Sequence, residues 1–358
     1  MTGHSQRGVA LLTILLLVVS ITVVAGSMLA SQKVAIRRSG LLFDQNQLLQ
    51  DINAGQQLAV TMIRADSELN GTDSEQDIWA QPIPPYALAN HSISIELRDE
   101  SGRFNLNNLY QNGAADPVAL AIFQRLLTQL NLEADIAVAV LDYQDTDSDV
   151  YQDGGDESAV YASSSNGTAQ QKLPNQPLVS VDQLQEVRGG SAEVLAALRP
   201  YVTAVPYYVP INVNTASPVL LAALIDGGSS QQMQGLVDMR ETRALTAIDE
   251  LWQLPSLSAL DEAQRTALAP LLAVDSSAFL ALVTASDNAN NTGQTRQRFA
   301  TVLISKMAAN DGQASNSATN GSTNNNAVNS AIDGKVSEEV KKEVKIVTQR
   351  LWAFRPSF

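Results

Sequence analysis

Twenty-two consecutive residues, 9–30, carry no charge and are mostly Leu, Val, Ile and Ala. As a helix they would reach ~33 Å, about the thickness of the hydrocarbon core of a bilayer. The apolar pattern then thins to Val34, Leu41, Leu48, Ile52, Ala59 and Met62/Ile63, in steps of three, four and seven. Such spacing puts one stripe on a helix. Gln32, Asp44, Gln50, Asp51 and Gln56 fill the other faces. The pattern predicts one helix over 9–65, its first half in lipid and its second half-buried against a soluble domain. The stripe residues Leu41, Leu48, Ile52 and Ala59 are also the expected seam for neighbouring subunits.

Beyond the helix the period changes. HSISIELR (91–98) alternates polar and apolar and predicts a strand, followed by GRFNLNNL (102–109). Comparable alternation returns only at AFLALVT (278–284), RFATVLIS (298–305) and VKIVTQRLW (344–352). Between the two groups, helix starts dominate. Asp116-Pro117 and Ser217-Pro218 each supply a cap and a first-turn proline, and Ser180 to Gln183 and Thr246 to Asp249 are capping-box patterns. The expected fold is α+β: a long N-terminal helix on a small antiparallel sheet, with a large all-α domain inserted between strands. The expected boundaries are 31–109 and 276–358 for the two parts of the sheet domain and 110–275 for the insertion. Residues 308–337, rich in Asn, Ser, Ala, Thr and Gly, hold too little apolar mass to offset their ordering entropy and read as a flexible loop.

Composition narrows the function classes. A net charge of -14 over 358 residues repels nucleic-acid phosphates. The absence of cysteine removes disulfides, thiol catalysis and cysteine-ligated zinc. Two histidines, His4 and His91, are too few for a His-rich metal centre, and no G-x-S-x-G, Walker A or H-E-x-x-H pattern occurs. No catalytic residues are expected.

The N-terminus begins MTGHSQRG (1–8), with Arg7 and Gly8 abutting the apolar run. A secretory signal would have a shorter apolar core ending at a small-residue cleavage site, whereas Ala25-Gly26-Ser27 lies inside this one. Charge bias leaves the topology open, because Lys33, Arg37 and Arg38 follow the span and Arg7 precedes it. A short leader ending in glycine, an apolar helix starting at once and an amphipathic continuation resemble the type IV prepilins and pseudopilins. That resemblance implies cleavage by a prepilin peptidase between Gly8 and Val9 and methylation of the new amine. Most of these proteins carry glutamate at the fifth mature position. Here it is Thr13, and the K-type minor pseudopilin of type II secretion systems is the member that lacks this glutamate. An unpaired carboxylate in lipid is costly, whereas a threonine hydroxyl can bond back to its own helix.

Five internal stretches share that likeness: GRFNLNNL, LDYQDTDSD (141–149), SVDQLQEVRG (180–189), LRPYVTAV (198–205) and INVNTA (211–216). The sequence departs from the family at Tyr143, usually Trp, and after Glu157, where the family is more acidic. The resemblance implies a structural subunit at the tip of a short pseudopilus, helping to initiate its assembly and the export of folded proteins. Its expected partners are the I- and J-type minor pseudopilins, the major pseudopilin and the prepilin peptidase. Its expected place is the inner membrane, single-pass, with the head in the periplasm.

Asp142, Asp145, Asp147, Asp149, Asp153, Asp156 and Glu157 crowd one glycine-bearing loop, 142–157, and no Lys or Arg lies between Arg125 and Lys172. Carboxylates at alternate positions can converge on one point, as hard oxygen ligands do around calcium. The spacing is not that of an EF-hand. A solvated acidic loop is the other reading; the density of uncompensated charge favours calcium, and the family resemblance implies the same. The rival function comes from INVNTA, which also resembles the entry to helix-hairpin-helix DNA-binding modules, and would make this a membrane-anchored periplasmic DNA binder. The corresponding turn, Ile225 to Gly228, carries Asp226 where a phosphate would approach, and Arg240 and Arg243 are accompanied by Asp238 and Glu241. No nucleic-acid partner is expected.

Overall fold

The computed structural model describes residues 5–88, 90–152, 154, 174–287, 295–308 and 342–358. Helix α1 spans Ser5–Leu69. It continues one turn past the expected end, because nothing breaks it before Asn70-Gly71. Residues 9–30 are exposed along their whole length. Their hydroxyls turn inward on the helix: Thr13 Oγ1 donates to the Ala10 carbonyl at 2.9 Å and Ser20 to Leu16 at 2.8 Å. No side chain in this stretch therefore needs water.

The apolar stripe divides. Leu48, Ile52, Ala59, Val60 and Ile63 are buried, whereas Val34, Ile36, Leu41, Leu42 and Phe43 face solvent. The buried set packs on the protein's own sheet, so Leu48, Ile52 and Ala59 are not a seam for neighbouring subunits. That expectation is corrected here: periodicity groups residues on a face but does not say what the face meets.

The sheet has five antiparallel strands in the order β1 (Tyr86–Leu88), β2 (His91–Asp99), β3 (Ala278–Asp287), β4 (Arg296–Ala308) and β5 (Lys342–Trp352). Strands β2 and β3 are hydrogen-bonded neighbours, with Ile95 opposite Val283 and Ile93 opposite Ala285, although residues 100–277 separate them in the chain. Every second residue of these strands faces α1: Ile93 and Ile95, Ala281, Val283 and Ala285, Ala300, Val302 and Ile304. Gly55 lets the helix approach this face; a Cβ there would lie 2.9 Å from Ile93 Cγ2 and closer still to Val283 Cγ1. Trp79 closes the end of the core edge-on to Phe279, with ring centroids 5.1 Å apart.

A second apolar core lies in the chain between β2 and β3. It is built from α2 (Pro117–Gln129), α3 (Ile136–Asp142), α4 (Ala192–Leu198), α5 (Pro218–Ala222), α6 (Ser230–Thr242), α7 (Ile248–Leu251) and α8 (Glu262–Leu268). Asp116 and Ser217 cap α2 and α5 as their sequence signals predict. Ser180 and Gln183 form the expected capping box, but it opens a 3₁₀ turn, Val181–Gln185. Gly189 and Gly190 follow at once; a Cβ on Gly190 would collide with the Leu184 carbonyl. At Thr246 the box is replaced by two bonds to Glu250 Oε1, from the backbone N–H at 3.0 Å and the hydroxyl at 2.5 Å.

GRFNLNNL is a clamp of backbone-binding amides and contributes only Phe104–Asn105 as strand. Asn105 Nδ2 donates to the carbonyls of Val205 and Tyr207, at 3.1 and 2.8 Å, and its Oδ1 accepts the Val205 N–H at 3.0 Å. Asn107 treats Leu178 likewise, at 2.9 and 2.8 Å, and Asn108 treats Val209 at 2.6 and 3.1 Å. Each buried amide thus does for an irregular segment what a neighbouring strand does in a sheet.

Candidate metal centre in the acidic loop

Asp142 is the last residue of α3 and fully buried. Its Oδ1 accepts the Tyr151 N–H at 3.1 Å, which folds the loop back over the helix end. Asp145 is only 4% exposed, and its Oδ1 meets no hydrogen-bond donor. Burial, then the charges of Asp147 and Asp142, push its carboxyl up to about 7. Asp147 is exposed; its Oδ1 accepts the Asp149 N–H at 2.9 Å, and its carbonyl accepts Asn175 Nδ2 at 2.8 Å. Asp149 is exposed. Asp153, Asp156 and Glu157 lie outside the described residues.

Asp142 and Asp147 thus both lie within electrostatic reach of Asp145, which has a buried oxygen lacking a donor. A buried carboxylate oxygen in that state is expensive unless it is protonated or meets a cation. Oxygen ligands of this kind are those a hard cation takes. Tyr143 stands beneath the loop: its hydroxyl donates to Glu186 Oε2 at 2.9 Å and accepts from Gln183 Nε2 at 3.1 Å. Burial, then Glu186, raise that hydroxyl to about 12, so it stays a donor.

INVNTA behaves like the first asparagine clamp. Asn212 Nδ2 donates to the Asp73 carbonyl at 2.9 Å and to Ser276 Oγ at 2.7 Å, and Asn214 bridges the backbones of Leu245 and Val274, at 3.0 Å each. Arg240 is buried and donates to the carbonyls of Val213 and Ala216, at 2.8 and 2.6 Å. Arg243 pairs with Glu250 at 2.6 Å. Arg125 caps the carbonyls of Ala223 and Leu224 next to the candidate phosphate turn, at 2.6 and 3.1 Å. Arg125, Arg240 and Arg243 are thus each engaged within the fold.

A family model described as type II secretion system (T2SS), protein K matches residues 102–207, and a second of the same description matches 211–275. A type II secretion system protein K from Klebsiella pneumoniae is 31% identical over 296 residues, covering 78% of this chain and 88% of the relative. Another, from Pseudomonas aeruginosa, is 30% identical over 260 residues, covering 69% and 76%. The chain belongs to the type II secretion system protein K family. The two matched regions of this K-family chain lie between β2 and β3 and contain the acidic loop and both asparagine clamps. Its role is that of a minor pseudopilin, a structural component of type II secretion. The fold agrees with that of a solved structure described as the GspK-GspI-GspJ complex from the enterotoxigenic Escherichia coli type 2 secretion system. The TM-score is 0.65 at 21% identity, over 88% of this chain and 99% of that one. In the K-family chain, α1 is long and apolar enough to cross a membrane.

Sequence reasoning passed over several site-forming acids. Asp99 is buried and accepts from Thr215 Oγ1 at 2.5 Å, Ser276 Oγ at 2.7 Å and the Ser101 N–H at 2.7 Å. Asp66, Asp73 and Asp77 converge where α1 ends. Neither group has a motif; the only trace is the scatter of acids across one helix end and the strand exit that follows.

Proposed function

We propose that the mature chain begins at Val9 after peptidase cleavage behind Gly8, spans the inner membrane once through residues 9–30, and holds its head in the periplasm. There it caps the tip of the pseudopilus with the I- and J-type minor pseudopilins, above the major pseudopilin. It helps to initiate assembly for the export of folded proteins and carries no catalytic activity. The observation that carries this reading is the exposed apolar stretch of α1 between the lipid segment and the head, where Ile36, Leu42 and Phe43 are 72%, 53% and 69% exposed. A helix face of that kind fits a helical neighbour. The relative's structure is titled as a complex of GspK with GspI and GspJ, which supports the choice of neighbour. Thr13, bonded to the Ala10 carbonyl, brings no carboxylate into lipid, as suits a subunit that lacks a neighbour above it.

Asp142, Asp145 and Asp147 would hold calcium in the acidic loop, with Asp149, Asp153, Asp156 and Glu157 as further candidate ligands. The ion would neutralise the crowded carboxylates. The test is co-purification of the full chain with I- and J-type partners in detergent. Leu42→Asp with Phe43→Asp should disperse the complex and leave the head folded, while cross-links map the chain to the pilus end. An intact complex with that variant, or cross-links along the shaft, would overturn the tip reading. For calcium, the head should melt higher with the ion than in chelator, and Asp145→Ala with Asp147→Ala should lessen that gain; a gain left unchanged by this pair of substitutions would refute the site.

A further inference from the structure

Helix α1 ends in a pocket of charge distinct from the acidic loop. Asp66 on its last turn and Asp73 and Asp77 in the segment that follows each offer a carboxylate oxygen, all within 4.8 Å of one another. Asp66 is 2% exposed and Asp73 1%. Asp66 Oδ2 and Asp73 Oδ1 meet no hydrogen-bond donor. The other oxygens are held in place. Asp73 Oδ2 accepts the Ser276 N–H at 2.7 Å and pairs with the buried Lys306 of β4. Asp77 accepts the Ser74 N–H at 2.6 Å and Asn70 Nδ2 at 3.1 Å.

Three carboxylates, Asp66 and Asp73 buried and Asp77 half-buried, share the single ammonium of Lys306, which pairs with Asp73, and leave an excess of negative charge. Buried carboxylate oxygens without donors are costly unless a cation or proton meets them. Calcium bonds oxygens at about 2.3–2.6 Å, so ligand atoms up to about 5 Å apart can share one ion. Magnesium needs a tighter octahedron and keeps its waters. We propose that Asp66, Asp73 and Asp77 form a second calcium site, which fastens the end of α1 to the junction of the two cores. The junction is already tied there by backbone: the Asp73 N–H donates to the Val274 carbonyl at 3.1 Å, and the Asp73 carbonyl accepts Asn212 Nδ2 at 2.9 Å. An ion at this point would hold α1, β4 and the helical region together.

The test uses the full chain in detergent micelles with Asp145→Asn and Asp147→Asn already in place, so that the acidic loop does not contribute. Calcium added to a hundredfold excess over its dissociation constant should then still raise the melting temperature by about 5 °C. Isothermal titration should count one remaining ion. Adding Asp66→Asn, which keeps the side-chain shape, should abolish both the shift and the bound ion. In chelator the same variant should melt above its parent, because an amide removes one of the crowded charges. This reversal of sign shows that the variant folds and that the site is electrostatic. If the Asp145→Asn, Asp147→Asn background shows no calcium-dependent shift, or Asp66→Asn leaves the ion count unchanged, the second site does not exist. Neither outcome bears on the acidic loop or the tip reading.

Discussion

Gly55→Ala should destabilise the protein, although alanine is the better helix former. In an exposed helix interior that exchange gains about 1 kcal/mol. At position 55 the new Cβ would sit 2.9 Å from Ile93 Cγ2 and closer still to Val283 Cγ1. Both neighbours are β-branched and buried, on adjacent strands β2 and β3, and have little rotamer freedom with which to yield. The helix must lift from the sheet, and overpacking of this kind costs about 1–3 kcal/mol. The net loss is about 1 kcal/mol, up to about 2. Gly235→Ala in α6 is the matched control: nothing lies within 4 Å of a Cβ there, so the same exchange should stabilise by about 1 kcal/mol. Urea unfolding of the head followed by circular dichroism and tryptophan fluorescence reads both. Val283→Ala opens space beneath residue 55, so the double variant should be more stable than the sum of the singles by more than 0.5 kcal/mol, the ordinary limit of additivity. If Gly55→Ala stabilises as Gly235→Ala does, or shows no coupling to Val283, the close approach of α1 to the sheet is wrong.

Three further outcomes are expected. Arg240→Ala should cost about 2–3 kcal/mol in urea unfolding, because the carbonyls of Val213 and Ala216 lose their donors; an unchanged midpoint, or DNA retained by wild type and lost by the variant, would contradict the structural role. Burial raises the Asp99 carboxyl from 3.8 to about 7, so the folded state holds a proton there that the unfolded state has released. Its contribution to stability is therefore fully present below pH 3.8 and falls as pH rises to about 7; Asp99→Asn should flatten that fall in thermal melts, and an unaltered pH profile would refute it. Mass spectrometry of membranes should find mature chain starting at N-methylated Val9, with Gly8→Leu leaving precursor; a start after Ala25 or Ala30 would mark an ordinary secreted protein.

The local elements were legible because their causes are local. An uncharged run of 22 residues fixes a membrane-length helix, period-two alternation marks HSISIELR and AFLALVT, and Asp116-Pro117 starts a helix wherever the chain lies. The family likeness was legible for the same reason, since GRFNLNNL and INVNTA are strings. Their physical meaning was not. An asparagine in sequence offers a donor and an acceptor without naming who receives them. Only the packed chain shows Asn105 clasping Val205, and Asn214 clasping Leu245, across loops that have no strand to pair with.

Partnership across distance was decided by tertiary structure alone. Leu41 and Leu48 stand on one stripe, yet Leu48 is buried and Leu41 faces solvent, because the sheet reaches only that far along α1. Arg240 looked like a candidate phosphate ligand until the fold turned it onto two carbonyls. The acidic loop could be seen as a density of charge, but the desolvation of Asp145 beside exposed Asp147 depends on how α3 ends and where Asn175 crosses. Lys306 meets Asp73 across more than two hundred residues because β4 passes the end of α1. A periodic pattern records which side chains share a face. What that face touches is set by chain segments far away in sequence, and with it every buried charge acquires its partner or lacks one.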